Sequence, residues 1–195
     1  EITCLAGAQA TRQNTDAASP SVRLANYLRL SHNLSVDLYV DQVIANAKLV
    51  IVRLLGGRGY WTYGVDEISA ACAVTDIPVA FLPGDDQPDA ELAQLTTLDE
   101  ISAHRLWQFL IHGGRANAEN FLACAATLVG HDTDWREPVP LLRAGLYWPG
   151  AATPTLADLQ HSWQPDLPVA AIVFYRALVQ ASNLAVIDGL ISTLQ

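Results

Sequence analysis

Residues 48–61, KLVIVRLLGGRGYW, decide how the chain is read. The first half is apolar on both alternations and rich in β-branched residues, the pattern of a strand buried on both faces. It empties into Gly56, Gly57 and Gly59, with Arg58 between them and Tyr60-Trp61 after. Gly57-x-Gly59 satisfies the first half of a dinucleotide fingerprint, but Thr62 holds the third glycine position and no Walker lysine follows. Two bulky rings stand where backbone and pyrophosphate must come close. The stretch therefore reads as a sharp turn at a strand's carboxyl end, with its aromatics packed on the sheet rim or walling a cleft.

Arg53 is the one charge inside LVIVRLL (49–55), on the same alternation as Leu49, Ile51 and Leu55. A buried guanidinium without a partner is very costly, so a carboxylate or several carbonyls should meet it. The next strand-like run, IPVAFLPGDD (77–86), ends in Asp85-Asp86. Successive parallel strands end at one edge, which places Arg53 or Arg58 opposite Asp85 or Asp86, where ligands of open α/β sheets bind. Tyr147-Trp148 and Tyr175-Arg176 close two further strand-like segments. The candidate cleft residues are therefore Arg53, Arg58, Tyr60, Trp61, Asp85, Asp86, Tyr147, Trp148, Tyr175 and Arg176. An edge of arginines and aromatics suits a flat or anionic partner, and rim packing explains the same residues.

Working outward, strands are expected near 2–6, 49–55, 77–82, 142–147 and 169–175. Helical spacing marks 18–30, with Ser19 as N-cap and Pro20 at the first position. It also marks 35–47, with Ser35 as cap, then 65–74, and two long helices within 98–112 and 117–129. Gly113-Gly114 separates these two, Gly130 stops the second, and the last residues begin a further helix. Strands alternating with helices imply an α/β, Rossmann-like, mainly parallel sheet with helices on both faces and a helical insertion over 98–130. The expected division is an α/β domain over 1–150 and an irregular connection over 151–168, which holds Pro154, Pro165 and Pro168. Residues 169–195 then supply the first strand and helix of a following α/β unit.

Composition sets the outer limits. Half the residues are hydrophobic (51%), 16% are charged and the net charge is −9, with Lys48 alone beside ten arginines. Such a surface repels phosphate backbones, so nucleic acid and anionic membrane are poor partners. No apolar run approaches the roughly 18 residues of a membrane span. Cys4, Cys72 and Cys124 lack CxxC spacing and read as buried free thiols in a reducing, cytoplasmic setting. His104 and His112 share a helix face, but His32, His131 and His161 lie elsewhere, so no metal-ligand set assembles. Without an initial methionine and with an amphipathic pattern running to the end, the chain reads as a piece of a longer polypeptide.

Four ordered stretches carry a resemblance: SVRLANYLRLSHNLSVDLYVDQVIANAKLVIVRLLGGRGYWTYG, FLPGDDQPDAEL, RAGLYWPG and VAAIVFYRALVQASNLAVIDGLI. Together they resemble the amino-terminal region of the large-subunit family of aerobic cobaltochelatases, the CobN type, related to the large H subunit of magnesium chelatase. The LLGGRGYW form resembles the cobalt branch more than the magnesium branch. The resemblance implies a subunit that holds a corrin, hydrogenobyrinic acid a,c-diamide, and inserts Co2+ during vitamin B12 synthesis. It also implies ATP hydrolysis by an AAA+ ATPase subunit, with a further small subunit as second partner. It carries no catalytic motif onto residues 1–195. Two other readings fit the same residues: a non-catalytic scaffold or docking domain, and a generic Rossmann-like ligand-binding module.

Overall fold

In the computed structural model, Val50–Leu54 (β1) and Val79–Pro83 (β2) lie side by side as a parallel pair in the register Val50↔Val79 to Leu54↔Pro83. The structure describes residues 1–151, 153–161, 163–164 and 166–195. Between the strands runs Thr62–Thr75 (α3), so β1, α3 and β2 form one βαβ unit. The fold is α/β, with helices on both faces of the parallel pair.

Strand alternation explains the two layers, because successive side chains point to opposite faces. Val50, Leu54, Val79 and Phe81 pack with Val36 and Val40 of Asn33–Gln42 (α2) and with Val65, Ile68 and Cys72 of α3. Ala80 and Leu82 turn to the other face, where Ile2–Thr15 (α1), Glu100–His112 (α5) and Arg115–Leu128 (α6) supply Leu5, Leu106, Phe109, Leu110, Phe121 and Leu122. On the α2–α3 side, Ala90–Leu95 (α4) follows β2, buries Leu92 in that layer and is capped by Asp89, whose carboxylate accepts from the Glu91 and Leu92 N–H groups.

The outer edge of β2 is closed by hydroxyls. Thr97 Oγ1 accepts from the Val79 N–H and Thr96 Oγ1 from the Phe81 N–H, both at 2.9 Å, while the Thr97 N–H donates to the Val79 carbonyl. Two threonines thus satisfy groups that a further strand would otherwise claim.

Several expected elements take other forms. Residues 2–6, expected as a strand, open the fourteen-residue α1, which buries Leu5, Ala8 and Gln9 at helical spacing. Residues 18–30, expected as a helix, run irregularly to a short 3-10 turn at Tyr27–Arg29. Ser19 does not cap a helix there; its hydroxyl donates to Asp16, and Gln9 Nε2 binds the Pro20 carbonyl, which ties the segment down along α1. His32, rather than Ser35, takes the cap position of α2. Residues 142–147 and 169–175, expected as strands, are not assigned as strands: among the described residues neither has a neighbour to form a ladder with.

Among the described residues of 151–168, Leu156–Gln160 (α7) is helical and closed by a capping box between Thr155 and Asp158; Pro165 lies outside the described residues. Arg176–Gln180 (α8) and Ala185–Leu194 (α9) follow. No helix among the described residues is long and apolar enough to cross a membrane.

Candidate functional site

Because β1 and β2 are parallel, their carboxyl ends share an edge, and the glycine turn leaves from it. Gly56 and Gly57 have φ of +90° and +71°, values that a side chain rarely tolerates. A Cβ on Gly57 would stand 2.7 Å from Asp89 Oδ2. The turn therefore closes around a carboxylate, the wrong charge for a phosphate cradle, and does not fit ATP. Arg58 reaches across it to Asp66 of α3 at 2.8 Å and to Glu91 of α4 at 3.0 Å. Trp61 donates its indole N–H to the Leu30 carbonyl at 3.1 Å, stacks at a tilt on Tyr27, and covers Gly64 so closely that a Cβ there would lie 2.2 Å from the ring. Trp61 is a buttress for α3, whereas Tyr60 stays exposed, edge-on to Tyr27.

Arg53 projects to the α1 side of β1. Its Nη2 donates to the Gly84 carbonyl at 2.9 Å and its Nε to the Pro83 carbonyl at 3.3 Å, while Nη1 pairs with Glu1. The expected partners Asp85 and Asp86 do not meet it; both are exposed and accept from Gln87, through its backbone N–H and its side-chain amide respectively. Gly84 accounts for the difference. A Cβ there would come within 2.5 Å of the Leu55 backbone, so the chain tucks against β1 and offers carbonyls to Arg53 while the acids leave toward solvent. The Asp85 carbonyl then accepts from the Trp107 indole at 3.0 Å. Arg53 and Glu1 line a cavity of about 260 Å³, shared with Cys4, Phe109, Gly113 and Gln180.

The candidates after residue 140 gather elsewhere. Tyr147 donates to Asp188 at 2.6 Å and meets Phe174 edge-to-face, and burial with that hydrogen bond pushes its phenol up to about 12. Trp148 is half-buried and Tyr175 exposed. Arg176 Nη2 donates to the Leu141 carbonyl at 3.1 Å, and the Leu141 N–H donates to His112 Nδ1 at 3.4 Å, so the backbone of Leu141 is clasped from both sides. Burial, and then the charge of Arg176, hold His112 below its ordinary pKa.

Eight of the ten candidates thus occupy three places, the Arg53 cavity, the turn around Arg58 and the segment after 140, while Asp85 and Asp86 leave toward solvent. Sequence reasoning missed two features. Glu1 and Gln180 line the Arg53 cavity without any local motif to announce them. A second hollow of about 440 Å³ runs along α5, lined by His104, Arg105, His112 and Glu137. Within it Arg105 bonds Glu137 at 2.9 Å and covers the Trp135 ring at 4.9 Å. The four-residue spacing of His104, Gln108 and His112 was the available signal. Among the described residues, no three His, Cys, Asp or Glu side chains gather as a metal-ligand group.

Comparison with known proteins fixes the relationship. Residues 107–195 match the family CobN/Magnesium Chelatase. The chain is 44% identical over 171 residues to the aerobic cobaltochelatase subunit CobN of Pseudomonas aeruginosa, covering 86% of this chain and 14% of that protein. It is 37% identical over 183 residues to the CobN subunit of a Sinorhizobium species, covering 90% and 14%. The structure also superposes on the catalytic subunit of cobaltochelatase from Mycobacterium tuberculosis with a TM-score of 0.65 and 26% identity, over 97% of this chain and 14% of that one. The chain therefore spans about one seventh of the length of its curated relatives, is similar to CobN subunits over most of its own length, and matches the CobN/magnesium chelatase family over residues 107–195.

Proposed function

We propose that this chain is part of the large, ring-holding subunit of an ATP-dependent cobaltochelatase. That subunit inserts Co2+, its metal substrate, into a corrin, hydrogenobyrinic acid a,c-diamide, in vitamin B12 synthesis. The observation that carries the reading is the likeness, over nearly the whole chain, to subunits named for cobalt chelation. ATP hydrolysis falls to an AAA+ partner subunit assisted by a further small subunit. The glycine turn supports that assignment, because Asp89 stands where a phosphate would need positive charge.

Within the subunit this stretch acts as frame more than as reaction centre. Metal insertion needs bases to receive two pyrrole protons, yet Arg53 already holds Glu1, and Arg58 holds Asp66 and Glu91. What these residues offer a corrin is peripheral contact at exposed aromatics such as Tyr60. Calorimetric titration of hydrogenobyrinic acid a,c-diamide tests this division. We expect tight binding by the full-length subunit and only weak binding by residues 1–195. Submicromolar binding by residues 1–195 alone would place the ring site here and contradict the proposal.

A further inference from the structure

Residues 169–175, VAAIVFY, lie outside any helix or strand and are apolar on both alternations. On one face Ile172 and Phe174 are half-buried, with Phe174 against Tyr147. On the other, Val169, Val173 and Tyr175 are exposed, Val173 at 95% and Tyr175 at 86%. Among the described residues, no backbone hydrogen bond is made by 169–174. A β-branched run that is apolar on both faces is the signature of a strand inside a parallel sheet. Here the backbone of 169–174 makes no bond to the rest of the described chain and is left to solvent, so its N–H and C=O groups are open to a partner strand.

The following helix repeats the pattern. In α9, Ile187 is buried, but Val186, Leu190 and Leu194, four residues apart along one ridge, are exposed. Strand-like segment, turn and amphipathic helix make up the first two parts of a βαβ unit, whose third part is a strand parallel to the first. The helix ridge would then cover the sheet so formed. Meanwhile α8 is already anchored on the near side, where the Gly114 N–H donates to the Gln180 carbonyl at 2.7 Å and Gln180 Nε2 donates to the Ile111 carbonyl at 2.7 Å. The strand-like segment is thus held at its carboxyl end and open along its length.

We infer that residues 169–175 and the exposed ridge of α9 dock against further polypeptide of the same large subunit, which adds a parallel strand to 169–175. The inference rests on the reading of this chain as part of a CobN-type subunit. Three observations select that occupant. The relatives are about seven times longer, the family match runs unbroken across 107–195, and the exposed face is apolar as in a domain core. The segment 151–168 is then the connection between two α/β units, and 169–195 opens the second.

Hydrogen exchange by mass spectrometry on residues 1–195 and on the full-length subunit tests this. Amides 169–175 should exchange freely in the short chain and be slowed on the order of 100-fold or more in the full-length protein. Val173→Asp should leave the melting temperature of the short chain unchanged, yet abolish that protection in the full-length subunit, while Val173→Ile preserves it. Equal exchange in both proteins overturns the inference. So does concentration-dependent protection of the short chain, which would mean a second copy, or protection that appears only when the ATPase subunit is added. Protection in a full-length protein that fails to insert cobalt even with ATP and its partner subunits would uphold the interface and reject the chelatase reading.

Discussion

At Arg53 one guanidinium joins the end of β2, through the Pro83 and Gly84 carbonyls, to Glu1 ahead of α1. Arg53→Ala leaves those carbonyls without their donor, a loss of about 1–3 kcal/mol. Thermal denaturation should show it as a fall of roughly 3–10 °C for a chain of this length. Arg58→Ala should move the melting point far less, because its pairs with Asp66 and Glu91 are exposed and screened by salt. His112 gives the residue scale its pH dependence. The folded state holds it below its ordinary value of 6.5, so the unfolded chain takes the proton first. Its stabilising contribution is complete above about pH 6.5 and is lost as pH falls through that value toward the folded pKa. Urea midpoints measured between pH 7.5 and 5 should fall more steeply for the native chain than for His112→Asn. Parallel slopes would show that the clasp on Leu141 is not titrating.

Among the elements, the turn between α5 and α6 is where substitution should be felt most. Gly113 has φ +62° and ψ −160°, and a Cβ there would stand 2.6 Å from the Gln180 carbonyl. Gly113→Ala should cost about 1–3 kcal/mol in backbone strain and release α8. Exchange of amides 176–182 would report that release. Gly130→Ala shares the positive φ but meets nothing within 4 Å, so it should lower stability without freeing α8. The same elements show what was legible in the sequence. The helices α3, α5 and α6 were readable from their period, and the strands at 50–54 and 79–83 from continuous apolar, β-branched runs that end in turn residues. Residues 2–6 misled because a short run of small and apolar residues has no period; the helical face appears only when Leu5, Ala8 and Gln9 are taken together with α6. Residues 142–147 and 169–175 have strand composition, but a strand is made by its neighbour, and local sequence does not name one. For Arg53 the need for carbonyls and a carboxylate was legible. Which carboxylate answered it depended on the tuck at Gly84, a tertiary contact.

On the scale of the whole molecule, the βαβ unit, its two helical layers and the α8–α9 segment form a frame. The exposed apolar side chains of that frame include Val169, Val173, Tyr175 and the ridge of α9, all after residue 168. On the proposed function, metal insertion belongs to the assembled large subunit and this stretch is one structural part of it. The most direct measurement is cobalt insertion by the full-length subunit, mixed with its ATPase and small partner subunits, Co2+, ATP and hydrogenobyrinic acid a,c-diamide, and followed by the absorption spectrum of the corrin. The account expects a cobalt corrin to form only when ATP and all subunits are present, and residues 1–195 to be unable to replace the full-length subunit. Insertion of Mg2+ into a porphyrin in place of Co2+ into the corrin, or cobalt insertion by residues 1–195 alone, would contradict it.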